Sequence, residues 1–263
     1  MTRLCPLFSG SDGNSYYIGS ANQGILIDCG RTAKQITEAL SRRDIEMKNI
    51  SAIFITHEHT DHVKALKTLA SRHNMPVYAT AGTILALEEK NLINPKVNIS
   101  PISFDGIEVG GNYVKPFHIS HDCREGVGYV VETSDGRKTA FATDTGIVTD
   151  EMKNALKGCD TVIIESNYDE NMLVSGDYPY DLKRRILSSR GHLSNAVCAD
   201  TVTELIQTGT TRIILAHISR NNNTLPLAEE TTISKLRTNN MKRNSDYILH
   251  IAKPEKNNPK IIY

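Results

Sequence analysis

Ile53-Phe54-Ile55-Thr56-His57-Glu58-His59-Thr60-Asp61-His62 runs an apolar, β-rich stretch straight into four potential metal ligands within six residues. A loop at a strand end turns alternate side chains toward one point, and imidazole together with carboxylate suits zinc, manganese or iron. One histidine in a turn is an ordinary polar surface group, as His73 and His250 are expected to be. Three with an aspartate in an HxHxDH pattern, followed by the helical stripe Val63, Leu66, Leu69 and Ala70, call for a metal site.

Outward from this segment, short β-rich runs recur at Ser15 to Ile18, Gly24 to Asp28, Ala52 to Thr56, Pro76 to Ala79, Val114 to Phe117, Gly128 to Glu132, Thr139 to Thr143, Thr161 to Glu165 and Arg212 to Ala216. Helical stripes lie between several of them: Ile36, Ala39 and Leu40, and then Ala199, Val202, Leu205 and Ile206. Turn signals sit at Ser9 to Asn14, Asp105-Gly106, Gly110-Gly111-Asn112 and Ser134-Asp135-Gly136. Strands and helices alternate without a change of composition, which predicts a single α/β domain over 1–263. Early hairpins favour mixed rather than purely parallel sheets.

The chain carries 30 basic and 30 acidic residues in 263, so no overall field draws it to polyanions or membranes, and any contact with nucleic acid must rest on a local patch. It has no apolar run of the roughly 18 to 20 residues that a membrane span needs, and its start lacks the apolar core of a signal peptide. A cytoplasmic protein without a membrane partner is the expectation. Five scattered cysteines, none in a CxxC pair, read as reduced thiols, Cys123 among them. Oligomeric state is not legible.

The segment Thr56 to His62 resembles the signature of the metallo-β-lactamase superfamily, which implies an αββα sandwich of two mixed β-sheets flanked by helices, built around two divalent metal ions. Further landmarks follow in order: Ile25 to Gly30 with Asp28 at a strand end, Ser120-His121-Asp122, Ala142-Thr143-Asp144-Thr145-Gly146, and Leu215-Ala216-His217. Carried over, the resemblance gives one metal to His57, His59 and His121, the other to Asp61, His62 and His217, and makes Asp144 the bridge. Zinc or manganese are the expected ions, with iron as the alternative. Asp61 and His192 are the candidate catalytic residues. His118 competes with His121, but strand geometry sends the two to opposite faces, and Asp122 with Gly126-Val127-Gly128-Tyr129 matches the family pattern beside His121. His118, Asp28 and Glu165 are expected to support ligands by hydrogen bonding.

The fold does not choose a substrate; the local motifs do. Glu165-Ser166-Asn167-Tyr168-Asp169, then Gly191-His192-Leu193-Ser194-Asn195, then His217-Ile218-Ser219 resemble the nucleic-acid-processing branches, in which a histidine that is not a ligand faces the scissile phosphate. With Ser9 to Ser15 and His217 to Thr224, the finer resemblance is to the YycJ/WalJ exonuclease group. It implies a 5′-to-3′ DNA exonuclease with a metal-bridging hydroxide as nucleophile. The alternative is a small-molecule hydrolase of the same fold, acting on a cyclic phosphodiester or thioester. Lys183, Arg184, Arg185 and Arg190 form a basic run near His192 fit to position phosphates. Ser11 and Asn14 in the first loop, and Ser194 and Asn195 at a helix start, are further candidate substrate contacts, Ser194 or Asn195 doubling as helix cap. Two features depart from the group's pattern: Asp12 stands where a small residue is expected, and Arg124-Glu125-Gly126 lacks a proline.

Overall fold

The computed structural model describes residues 1–254, 258 and 260–263. In chain order the described strands are β1 (Arg3–Phe8), β2 (Ser15–Gly19), β3 (Gly24–Ile27), β4 (Ile50–Phe54), β5 (Val77–Ala79), β6 (Ile99–Pro101), β7 (Ile107–Val109), β8 (Asn112–His118), β9 (Val127–Thr133), β10 (Lys138–Ala142), β11 (Thr161–Glu165), β12 (Arg212–Ala216), β13 (Ile248–Ile251) and β14 (Ile261–Ile262). The helices are α1 (Ala33–Ser41), α2 (Thr60–Val63), α3 (Leu66–His73), α4 (Ala81–Glu89), α5 (Asp150–Leu156), α6 (Glu170–Ser175), α7 (Tyr180–Ile186), α8 (Asn195–Gln207) and α9 (Leu225–Thr238). Among the described residues the strands fall into two seven-stranded mixed sheets. The chain divides into two compact units: Met1–Pro116 with Cys123–Arg137 and Lys253–Tyr263, and Phe117–Asp122 with Lys138–Ala252.

In the first unit one sheet runs β14-β1-β2-β3-β4-β5-β6. It is antiparallel from β14 to β3 and parallel from β3 to β6. The strands are apolar on both faces because both faces are covered. Cys5, Leu7, Tyr17, Leu26 and Ile53 pack with Ile36, Leu40, Leu66 and Leu69 of α1 and α3, each such side chain contributing roughly 1.5–3 kcal/mol when fully buried. On the other face Tyr129 of β9 lies edge-on to Phe54, ring centroids 5.6 Å apart, and donates to the Ile55 carbonyl at 2.7 Å. A strand of the second sheet thus stacks on the first. The β7–β8 hairpin turns through Gly110 and Gly111, both at positive φ, as a two-residue turn between right-twisted strands requires.

The stripe Val63, Leu66, Leu69 and Ala70 is buried as its period predicts, but the helix is broken in two at Lys64 and Ala65. The Cys29 N–H donates to His62 O at 2.7 Å and the Ala65 N–H to Cys29 O at 2.9 Å, so tertiary bonds to the segment after β3 hold α2 and α3 apart. Glu125, in the segment without proline, caps α4 instead: its carboxylate accepts from the Gly82 N–H at 2.6 Å and its carbonyl from Thr80 and Thr83. Asp12 forms an ion pair with Arg31 at 3.7 Å.

In the second unit β10, β11, β12 and β13 run parallel. Helix α8 is capped by Ser194, whose hydroxyl accepts from the Val197 N–H, and it packs on α9, capped by Thr224. Parallel strands connected by helices deliver their C-terminal ends to one edge, and that edge carries this unit's chemistry.

Candidate functional site

In the first unit, β3 and its parallel neighbour β4 end side by side, with Ile27 opposite Phe54. Asp28 follows in the left-handed region at φ 58° and is buried. Its Oδ1 accepts from the Thr56 N–H at 2.9 Å, and its Oδ2 lies 2.8 Å from both Thr56 Oγ1 and His62 Nδ1. Burial pushes the Asp28 carboxyl above its ordinary range, against the lowering effect of His62 and Thr56. Thr56 also reaches His57 Nδ1 at 3.0 Å. His57 Nε2 and His59 Nδ1 converge to 3.1 Å, while Glu58 points away to the Arg124 N–H and Lys90.

Gly30 makes this loop possible. A Cβ added there would collide with the Asp61 carbonyl, so only glycine lets the two backbones meet. Asn14 closes the group. Its N–H donates to Asp61 O at 2.7 Å, and its Nδ2 lies 3.0 Å from His62 Nε2 and 3.3 Å from Asp61 Oδ2. The expectation of Asn14 as a substrate contact is therefore corrected: it is buried and braces Asp61 and His62. Ser11, three residues earlier, stays exposed.

In the second unit the register of β10, β11 and β12 sets Ala142 against Ile164 and Glu165 against Ala216. Asp144 and His217 then follow their strands at φ 61° and 52°. Left-handed backbone at a non-glycine residue costs roughly 1–2 kcal/mol, less for aspartate, and persists only where the surroundings impose it. Glu165, fully buried, is the hub. Its Oε1 lies 2.7 Å from both His192 Nδ1 and His217 Nδ1, and its Oε2 accepts from the Thr145 and Leu193 N–H groups at 3.0 and 3.1 Å. Burial alone would raise this carboxyl, but the charge of His192 and the bonds from both imidazoles outweigh it and hold Glu165 at about 2. Ligand atoms of Asp144, Glu165, His192 and His217 all lie within 4.8 Å of one another.

His121 joins this unit's group with its ring 5.1 Å from that of His192 and its Nδ1 3.0 Å from Gly191 O. Burial, the largest influence, pushes its pKa down although Asp144 and Glu165 oppose this, which favours the neutral imidazole that metal binding needs.

His118 does not join. It ends β8 with its side chain half exposed, and its imidazole lies 3.0 Å from Glu151. The expected supporting role is corrected: the in–out alternation of β8 breaks at Pro116 and Phe117, so His118 reaches the surface, while His121 lies beyond the end of the strand. Ser194 and Asn195 are buried in the fold rather than presented to a substrate: Ser194 caps α8, and Asn195 bonds Ser166 at 2.7 Å and Asn223 at 3.0 Å. Arg185 pairs with Asp122, Arg190 Nε donates to His121 O, and Lys183 donates to Val174 O. Sequence reasoning assigned no role to Thr56 or to Asn167, whose Nδ2 donates to His217 O at 2.8 Å. Thr56 opens the HxHxDH segment and Asn167 follows Glu165 by two residues, and that adjacency to ligand motifs was the available signal.

The donor chemistry fits divalent metal ions. His57, His62, His121 and His217 each set Nδ1 against an oxygen of a hydroxyl, carboxylate or carbonyl, the arrangement that fixes a ligating imidazole and leaves Nε2 for the metal.

The beta-lactamase superfamily domain matches residues 23–218. The chain is similar to exodeoxyribonuclease YycJ of Bacillus anthracis, 38% identical over 223 residues and covering 84% of each chain. It is also similar to exodeoxyribonuclease WalJ of Streptococcus pneumoniae serotype 2 (strain D39), 32% identical over 256 residues, 96% of this chain and 95% of the relative. Among solved structures, Zn²⁺-bound PqqB from Methylobacterium extorquens is similar with a TM-score of 0.73 over 100% of both chains, at 14% identity, a likeness of fold alone. With the family domain spanning most of its length and these relatives nearly all of it, the chain belongs to the metallo-β-lactamase superfamily, in the group that contains YycJ and WalJ.

Proposed function

We propose that residues 1–263 form one hydrolase domain acting as a dimetal-dependent phosphodiesterase on nucleic acid, a cytoplasmic 5′-to-3′ DNA exonuclease. Support for the DNA substrate comes from the YycJ and WalJ relatives, both named exodeoxyribonucleases. The observation that carries the chemistry is Glu165, one oxygen of which holds both His192 and His217.

On this reading His57, His59 and His121 would hold one cation and Asp61, His62 and His217 the other, and Asp144 would serve both. Two such cations, when bound, supply an activated water as nucleophile and positive charge for the phosphate oxygens. Zinc or manganese suits this donor set, and iron is compatible with it. Asp61 orients the attacking water. His192 donates a proton from Nε2 to the leaving oxygen, while Glu165 on Nδ1 fixes the tautomer and stabilises the imidazolium. Asp28 and Thr56 hold the rings of His62 and His57.

The test is end-labelled single- and double-stranded DNA and RNA, incubated with chelator-stripped protein to which Zn²⁺, Mn²⁺ or Mg²⁺ is returned. Metal-dependent release of mononucleotides from the 5′ end of DNA is expected. Intact polymers alongside hydrolysis of a cyclic phosphodiester or a thioester would replace this reading with a small-molecule hydrolase.

A further inference from the structure

Helix α7 wears its apolar residues on both sides. Leu182 and Ile186 turn inward to a small cluster with Tyr168, Leu173 and Tyr178. Tyr180, Arg184 and Leu187, spaced i, i+4 and i+7, make a second stripe, one helix face carried through the cap residue. Here Tyr180 is 74% exposed and Leu187 47%. The Arg184 guanidinium lies over the Tyr180 ring, 5.8 Å from its centroid. A tyrosine ring left in water with a cation beside it forgoes its burial energy, and so is poised for a flat π-bearing partner.

We propose that this stripe is a stacking platform for the unpaired bases of a single-stranded DNA end, an inference that rests on the nuclease reading above. Charge favours that occupant: residues 177–190 hold four cations against two aspartates in a chain of zero net charge. Lys183, Arg185 and Arg190 are occupied in holding their own segment, whereas Arg184 couples its charge to the exposed ring. Such a pairing of aromatic face and cation binds single strands without reading sequence. Duplex DNA keeps its base faces stacked away and fits the stripe poorly.

Position agrees. The His192 N–H donates to Ile186 O at 3.1 Å, so the end of α7 sets the backbone of the proposed proton donor. Tyr180 lies six residues back, roughly 9 Å along the axis at 1.5 Å per residue. That is the span of about three stacked nucleotides at roughly 3.4 Å each. A base on Tyr180 would therefore sit at the other end of α7 from the turn that carries His192.

Binding of the metal-loaded protein to a fluorescein-labelled, phosphorothioate-linked thymidine oligomer, which resists cleavage, tests this by anisotropy. Tyr180→Ala should weaken binding about 5- to 100-fold and Tyr180→Phe by less than about two-fold. Arg184→Ala should lower the slope of log affinity against log salt by about 0.7. The sequence has no tryptophan, so Tyr180→Trp adds a single fluorophore whose emission the oligomer should quench. This readout survives if Tyr180→Ala misfolds. Unaltered affinity in folded Tyr180→Ala, or unquenched emission from a bound complex, overturns the platform and leaves the nuclease intact. Wild-type protein that cleaves duplex but neither binds nor cleaves single-stranded DNA overturns the platform alone, and protein that cleaves neither brings down the nuclease reading and the platform with it.

Discussion

The two units present their polar clusters in opposite ways. In the first, His57, His59, Asp61 and His62 come from six consecutive residues, and their bracing is shared among Asp28, Thr56 and Asn14. In the second, His121, Asp144, His192 and His217 are scattered along the chain: Asp144 and His217 follow parallel strands with aligned ends, and His121 and His192 reach them from loops. There one carboxylate, Glu165, holds two imidazoles and two backbone N–H groups. A contiguous motif can spread its support over several weak braces. A dispersed one concentrates it in a single buried group, and so should be more easily broken.

Glu165→Ala tests that contrast with the largest expected effect. It strands the buried His217 ring, the partly buried His192 ring and two backbone donors at once, which should cost about 3–5 kcal/mol in the urea unfolding free energy. Asp28→Ala removes a carboxylate that, among the described residues, serves Thr56 and His62, and a cost of about 2–3 kcal/mol is expected. Metal content should fall in both, further in Glu165→Ala. A larger loss from Asp28→Ala would reverse the comparison.

His192→Ala sharpens it within the second unit. The ring is tied to Glu165 but lies on the cluster's more open side, its side chain 16% exposed against 3% for His217. Both metals and the melting temperature should survive, while the rate on DNA falls about 10² to 10⁴-fold, the range for a positioned general acid. On bis-p-nitrophenyl phosphate, whose leaving group needs little protonation, the deficit should shrink. An equal deficit on both substrates would mean that His192 stabilises transition-state charge instead.

The same contrast governs what the sequence disclosed. The first cluster was legible because it is local: HxHxDH after an apolar run packs four ligand-type side chains into one strand-end loop, where surface polarity alone would not gather them. The nine strands read from β-rich runs are strands in the structure: runs such as β2, β3 and β11 are buried on both faces, and even β8, with one face partly exposed, keeps a continuous β-rich run. Strand β1 escaped because Pro6 interrupts it, and the ladder accommodates that proline with a bulge between Pro6 and Phe8. Strands β6, β7, β13 and β14 are the short edge strands of the two sheets, only partly buried, and carry too little apolar pattern. In the second cluster, motif order gave the residue list, but the sharing of one Glu165 oxygen by two histidines depends on strand register, which no local signal reports. Asn14, in the first loop, and Ser194 and Asn195, at a helix start, are expected from their motifs to contact substrate. Each is spent inside the protein, on a brace, a cap and a buried network.

The smallest expected effect belongs to His118, and it decides which histidine completes the second cluster. His118 and His121 are three residues apart, and both precede Asp144 in the chain. In the structure His118 bonds Glu151 by backbone N–H at 2.9 Å and ring at 3.0 Å, with both side chains about half exposed. Burial works to raise the Glu151 pKa, but these bonds outweigh it and hold it below the ordinary value. A carboxylate with a depressed folded pKa contributes stability above its unfolded pKa, roughly 4.3 for glutamate, and loses it as pH falls below that. Solvent screens an exposed pair, so His118→Ala should cost under about 0.5 kcal/mol at pH 7. That cost should shrink as pH falls through the depressed pKa of Glu151, which then protonates in wild type and variant alike. Metal content and the rate on DNA should stay within about two-fold. By contrast His121→Ala removes a buried ring bonded to Gly191 O and should lower both sharply. If His118→Ala loses a metal while His121→Ala keeps both, the assignment along this segment is reversed, and the contrast between the two clusters must be redrawn around a histidine that reaches inward only when metal is bound.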